Sequence, residues 1–307
     1  MSNNQNRKWL VVCLIVLGVV TLSITAFLFY IRLEKPIFIK SYYEYNWAAA
    51  EDEPALLKKE FIIQYLSNAD DSHSVTGIEF PNLKDEQLSF YATESASDAF
   101  NMDFMFSGQN SVQSSTVQKV GLYSLHTVRI TIQCLFSANE RNDTDIILQD
   151  ALIHFSDGST QEVNLGKIKL YWRNWNNMGP LSQIQGMSAN DGTSEETLRS
   201  NETLTVIGLR WMPCIDSAEL FKITLNGVDA SSDKIKGMEI KKGEIVTLRT
   251  EFPEPEDLKN KFTAYELRAV LTVQDNKGVQ KEIDVDTIHY NPSFFNTWDI
   301  LRYALAH

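Results

Sequence analysis

Cysteine is scarce in this chain: three residues in 307, at positions 13, 134 and 214. One lies inside an apolar run, and the other two cannot staple a fold of this size, so stability has to come from packed cores. Cys134 and Cys214 fall in different expected domains, and free buried thiols are the default reading for both. Histidine offers no metal site. His73, His126, His154, His289 and His307 stand at no H-x-x-x-H spacing and beside no C-x-x-C pair, which removes the usual zinc arrangements. The G-x-S-x-G elbow, the phosphate-cradling Walker loop and the G-x-G-x-x-G turn are all missing. The sequence therefore carries none of the short signatures of nucleophile-elbow hydrolases, P-loop NTPases or dinucleotide enzymes.

Positive charge is also in deficit. The chain has 28 Lys and Arg against 40 Asp and Glu, a net charge of −12, and residues 41–307 alone hold 23 against 39. Such an acidic surface is poorly suited to nucleic acid or to an anionic cytoplasmic leaflet. With forty carboxylates, no single pair stands out as a general acid and base. Three loops, "NADDS", "NERNDTD" and "SANDGTSEE", carry the hard oxygen ligands that calcium takes, but none matches the twelve-residue calcium loop. Calcium is a possible ligand without specific support, and no other cofactor is implied.

What the sequence does have is one long apolar run. From Trp9 to Ile31 no residue is charged, and 23 residues at about 1.5 Å each span roughly 34 Å, enough for a hydrocarbon core of about 30 Å. The run is longer than a cleavable signal and ends in bulky "AFLFYI" rather than in small residues. An uncleaved transmembrane helix over 9–31 is expected, contacting the lipid bilayer, with 1–8 as a cytoplasmic tail. Arg7 and Lys8 precede the run while Arg32, Lys35 and Lys40 follow it, so flanking charge decides little. The acidic, strand-rich remainder favours an extracytoplasmic C-terminal portion. The juxtamembrane segment 32–58 carries Tyr42, Tyr43, Tyr45 and Trp47. With Trp9 and Tyr30 they form the expected membrane-interface aromatics. "AAAEDEPALLKKE" within it reads as a short helix.

Beyond residue 58 the patterning has period two. In "HTVRITIQCLF" Val128, Ile130, Ile132 and Cys134 alternate with Arg129, Thr131 and Gln133; "EIVTLRTEF" and "ELRAVLTVQ" repeat the pattern. Turn chemistry at Asp157–Gly158, Asn226–Gly227, Gly243 and Gly278 separates the runs. The reading is an all-β ectodomain, with a first β-sandwich domain over 59–175, a linker or long loop over 176–200 and a second β-sandwich domain over 201–290. A C-terminal amphipathic helix over 291–307 completes it, its stripe formed by Phe294, Trp298, Leu301 and Leu305. Short strands at this spacing resemble two tandem immunoglobulin-like β-sandwiches, although the Cys…Trp…Cys hallmark of antibody domains is missing.

The expected role is non-catalytic: binding, scaffolding or sensing at a bacterial cell surface, with a protein partner there or in the membrane. The alternatives are a carbohydrate or cell-wall binding module and a cell-surface hydrolase. In "LYWRNWNN" Trp172, Arg173 and Trp175 are the candidate ligand or partner contacts, together with Trp298, because exposed indole faces stack on sugar rings and partner side chains.

Overall fold

The computed structural model describes residues 2–46, 57–83, 88–94, 117–134, 145–171, 179–188, 193–211, 220–230, 233–252, 257–290 and 296–307. It opens with helix α1 (Ser2–Tyr30), whose Trp9–Tyr30 portion is long and apolar enough to cross a membrane and is nowhere buried against the rest of the chain. Eighteen strands follow among the described residues. They run β1 (Ile37–Phe38), β2 (Ser41–Asn46), β3 (Leu57–Asn68), β4 (Val75–Glu79), β5 (Leu88–Thr93), β6 (Val117–Val120), β7 (Tyr123–Cys134), β8 (Ile146–Phe155) and β9 (Thr160–Tyr171). The later part holds β10 (Leu181–Ser188), β11 (Thr193–Ser200), β12 (Leu204–Arg210), β13 (Lys222–Leu225), β14 (Val228–Asp229), β15 (Glu239–Ile240), β16 (Ile245–Glu251), β17 (Ala264–Asp275) and β18 (Gln280–Tyr290). A one-turn helix α2 (Leu258–Lys261) precedes β17, and α3 (Thr297–Leu305) follows β18. The chain is thus mostly β-sheet, with one apolar N-terminal helix and a short C-terminal one.

The strands form three sheets. An N-sheet runs β1-β3-β7-β5, with β6 also on β7; a C-sheet runs β10-β11-β16-β13-β14; and a shared sheet runs β15-β12-β17-β2-β9-β8-β4, with β18 on the other edge of β17. The shared sheet takes strands from both ends of the chain because β2 lies between β9 and β17. These are the two parallel pairings among the described strands; every other pairing is antiparallel. Ser41 stands opposite both Gly166 and Ala264, Tyr42 opposite Lys167 and Tyr265, and Tyr43 opposite Ile168 and Glu266.

Alternation along β2 then sends neighbouring side chains to opposite faces. Tyr42 enters the cluster that fills the space between shared sheet and C-sheet, with Leu204, Val206, Leu248, Tyr265 and Leu267. Tyr43 enters the one between shared sheet and N-sheet, with Phe61, Ile63, Ile130, Ile153 and Ile168. The two five-stranded sheets therefore cover opposite faces of the shared sheet. A third, smaller cluster brings Ile300, Tyr303 and Ala304 of α3 onto Ile39, Leu66, Tyr123, Leu125 and Phe262.

Most of the period-two runs fold as read. Val128, Ile130 and Ile132 of β7 point into the core, as do Val246 and Leu248 of β16 and Leu267, Ala269, Leu271 and Val273 of β17. Asn226 and Gly227 both have positive φ, 49° and 78°, as a tight hairpin turn between β13 and β14 requires.

Three segments differ from expectation. The stretch 176–200, read as a linker, carries β10 and β11, paired along their length and joined through β11 to β16. Their polar composition hides them: of β11 only Leu198 and Ser200 are buried, so backbone hydrogen bonds rather than apolar periodicity define the strands. The segment 32–58 is no simple spacer, since it supplies β1, β2 and the start of β3. The described end of "AAAEDEPALLKKE", from Leu57, is strand, and residues 47–56 lie outside the described residues. In α3 the helix is as expected but its inward face is Ile300, Tyr303 and Ala304, with Leu301 half-buried; Trp298 and Leu305 face solvent. The Tyr303 ring stacks on Phe262 at 4.2 Å, and that contact sets the helix rotation. Phe294 lies outside the described residues.

Gly166 shows how tightly β2 is held. Its φ is +94°, and a Cβ there would lie 2.4 Å from the Ser41 carbonyl oxygen and 2.8 Å from the Ser41 nitrogen, both backbone atoms that cannot swing away. Gly166→Ala is expected to destabilise the fold by roughly 2–4 kcal/mol, combining left-handed strain and overpacking. Gly158→Ala, with φ +84° and open space around it, should carry only the strain, about 1–2 kcal/mol. Urea denaturation of the two variants measures the difference.

Candidate functional site

The chain leaving α1 does not dangle. Ile31 is buried, and its carbonyl oxygen accepts a hydrogen bond from the Tyr123 hydroxyl at 2.5 Å. The Asn68 side-chain amide donates to the Leu33 carbonyl and its oxygen accepts from the Leu33 amide N–H, both at 2.9 Å. Arg32 pairs with Asp70 at 3.1 Å, an exposed contact of small energetic weight. Tyr123 and Asn68 are paired ends of β7 and β3, so the helix exit is fastened to the rim of the longest strand pair in the N-sheet.

Directly beside that exit lies a cleft of about 740 Å³. One wall is the emerging segment Tyr30–Phe38 with Lys40; the others are Gln161–Asn164 of β9, Lys259 of α2 with Thr263, and Tyr303–Leu305 of α3 with His307. It holds four cations, Arg32, Lys35, Lys40 and Lys259, and two carboxylates, Glu34 and Glu162. Gln161 is held in place by donating to the Pro36 carbonyl at 3.0 Å. Lys261 beside it is committed to Asp299, at 2.8 Å, which ties α2 to α3.

Burial of Tyr303 pushes its hydroxyl up to about 12, against about 10 for a free tyrosine. The docked helix holds that proton more tightly than the undocked one. Its docking is therefore undiminished below about pH 10 and weakens as pH rises from there through about 12. Tyrosinate absorbance in an alkaline titration should lose this late step in Tyr303→Phe, while other buried tyrosines keep theirs.

A second cluster lies under the N-sheet. His126 falls on the core-facing side of β7, stacked on the Tyr65 ring at 4.4 Å. Its Nδ1 lies 2.5 Å from Glu94 Oε1 and its Nε2 2.9 Å from Ser67 Oγ. Glu94 Oε2 also accepts from the Tyr65 hydroxyl at 2.9 Å and from the Val75 N–H at 2.7 Å. The order Ser–His–Glu has the connectivity of a nucleophile, base and orienting acid. However, Ser67 is 1% and His126 4% exposed, so no substrate reaches the hydroxyl. The cluster satisfies buried polar groups between strands. In sequence only the phase of His126 with Val128, Ile130 and Ile132 hinted at it; nothing pointed to Ser67 or Glu94. Glu94→Ala removes the acceptor shared by the imidazole, the Tyr65 hydroxyl and the Val75 N–H, leaving the hydroxyl only a long 3.4 Å contact to the His73 carbonyl. It should cost about 3–5 kcal/mol, read as a fall in urea midpoint with unchanged strand content by circular dichroism.

The expected interface aromatics divide. Trp9 and Tyr30, at the two ends of the apolar span, are exposed. Tyr42 and Tyr43 are core residues, 7% and 6% exposed, because β2 is an interior strand covered on both faces, which corrects their assignment to a headgroup zone. Tyr45 is half-buried and donates to Glu266 Oε2 at 3.1 Å; burial first, and then the Glu266 charge, drives its hydroxyl well above the ordinary tyrosine range. Trp298 is 72% exposed near the start of α3, away from the cleft lining. Trp47, Trp172, Arg173, Trp175 and Cys214 lie outside the described residues, as does the side chain of Cys134. Of the acidic loops, "NADDS" has Asp70 on Arg32 and Asp71 on His73. Among the described residues no three His, Cys, Asp or Glu side chains converge as metal ligands.

No protein-family model matches the chain, and no curated protein matches it in sequence. Among solved structures, a protein of unknown function from Porphyromonas gingivalis overlaps with TM-score 0.24 at 9% identity, over 81% of this chain and 97% of its own. The major pilin subunit BcpA of Bacillus cereus overlaps with TM-score 0.25 at 9% identity, over 84% and 67%. The periplasmic chaperone SfaE does so with TM-score 0.22 at 10% identity, over 81% and 98%. Overlaps at this level establish no shared role, and the architecture stands on its own sheets and cores.

Proposed function

We propose that the chain is a single-pass membrane protein that carries its β-sheet portion outside a bacterial cell membrane. There it acts as a non-catalytic binding, scaffolding or sensing module for a partner at the surface or in the same membrane. In this reading the portion beyond α1 is two immunoglobulin-like sandwiches built on one shared sheet. The observation that carries the proposal is the fastening of the helix exit. Ile31 and Leu33 are hydrogen-bonded to Tyr123 and Asn68, and the chain runs within eight residues of Leu33 into the interior strand β2.

A catalytic or freely ranging domain needs no such attachment. A module that must present a fixed face at a fixed height does, and tethering raises its effective concentration for partners in the same bilayer. The acidic balance of residues 41–307 keeps the bulk of the surface from adhering to anionic lipid. Strand β10, at the outer edge of the C-sheet with Ile184 and Met187 exposed, offers the kind of edge to which extended partner segments add.

Protease treatment of intact cells expressing the full chain with a C-terminal epitope tests the topology. The epitope is expected to disappear from intact cells while the protein stays in the membrane fraction. An epitope that survives until lysis overturns the outward orientation, and protein recovered from the culture fluid overturns the anchor.

A further inference from the structure

We propose that the cleft beside the helix exit binds the phosphate headgroup of an anionic glycerophospholipid, in the leaflet on the folded side of the anchor. The inference rests on the anchored reading and adds a ligand to it. Depth comes first: the lining begins at Tyr30, the last residue of the apolar span, so the cleft opens where hydrocarbon gives way to headgroups.

Charge is the second argument. Some lysines of this acidic chain are paired, Lys169 with Asp145, Lys236 with Asp233, Lys261 with Asp299 and Lys281 with Glu202, while others such as Lys222, Lys241 and Lys242 stand singly on the surface. Lys35, Lys40 and Lys259 line the cleft, and none of them has an ion pair among the described residues. Arg32 is offset by Asp70, so the three ammonium groups face two carboxylates, Glu34 and Glu162, and positive charge is in excess by one among these side chains. Lys35 and Lys40 follow the anchor, whereas Lys259 arrives from α2 more than two hundred residues later. The fold, not local sequence, makes the basic spot.

Shape is the third. About 740 Å³ admits a glycerophosphate headgroup with its water. The rim adds exposed Tyr30 and Leu305, apolar surface suited to the first methylenes of an acyl chain. A free phosphate ion would gain nothing from that rim. Ammonium groups near a lipid surface each strengthen binding by about fivefold.

The test uses the full chain reconstituted in nanodiscs of phosphatidylcholine with a minor share of phosphatidylglycerol, and native mass spectrometry of the lipid retained on ejection. Wild type is expected to retain phosphatidylglycerol above its share. Lys259→Gln alone should weaken retention about fivefold, and Lys35→Gln/Lys40→Gln/Lys259→Gln roughly a hundredfold. The control Lys222→Gln/Lys241→Gln/Lys242→Gln, with the same charge change elsewhere, should retain lipid as wild type does. Equal retention of the two lipids, or a cleft variant indistinguishable from the control, overturns the proposal. Lysine-dependent binding of inorganic phosphate by detergent-solubilised protein, without phosphatidylglycerol enrichment, also overturns it in favour of a free anion. Failure of the anchored reading is distinct: the chain then does not float with phosphatidylcholine vesicles at all.

Discussion

Everything beyond α1 depends on one strand being held between two others. β2 is six residues long and pairs in parallel with β9 on one side and β17 on the other. Parallel pairing is slightly weaker per residue than antiparallel, so backbone bonds alone would make β2 a poor seam. What compensates is that both faces of the strand are buried, Tyr42 stacked on Tyr265 at 5.6 Å in one core and Tyr43 against Phe61 in the other. Removing β2 would open two cores at once and cut the shared sheet in half. The left-handed Gly166, the one residue type that lets the Ser41 backbone approach so closely, belongs to the same constraint.

The sheet-rich character was legible because most strands have one dry and one wet face, and the alternation of β7, β16 and β17 reports that directly. Where a strand departs from that condition, the pattern misleads. β2 is dry on both faces, so its tyrosines do not alternate with solvent-facing residues and read instead as interfacial aromatics beside a membrane. β10 is wet over most of its side chains and β11 is mostly half-buried, and their Gly, Ser, Gln and Glu content imitates a linker. The rotation of α3 was hidden for a related reason. Trp298, Leu301 and Leu305 are the larger apolar residues at helical spacing, but the helix buries the stripe containing Tyr303, whose partner Phe262 lies on a distant part of the chain. The candidate site was the least legible. Its lysines lie more than two hundred residues apart, and the Ser67–His126–Glu94 cluster joins three strands or strand ends that no local spacing connects.

The fastening of the helix exit and the burial of β2 act together. A loose connection after α1 would leave the cleft without a wall. With Ile31, Leu33 and Ile39 all fixed to the fold, the stretch between α1 and the core becomes part of the cleft itself. α3 closes the other side through Tyr303, and the Lys261–Asp299 pair joins it to α2. The segment that leaves α1 and the helix α3 thus meet beside one cleft.

The parallel placement of β2 also orders events during synthesis. This strand leaves the ribosome soon after α1, yet its neighbours β9 and β17 are made about 120 and 220 residues later. Until then a tyrosine-rich extended segment has both hydrogen-bonding edges open and no sheet to join. Contacts so distant in sequence close late and at a high cost in chain entropy, and exposed strand edges in half-made chains invite wrong pairings. Late closure of the shared sheet is therefore built into the topology.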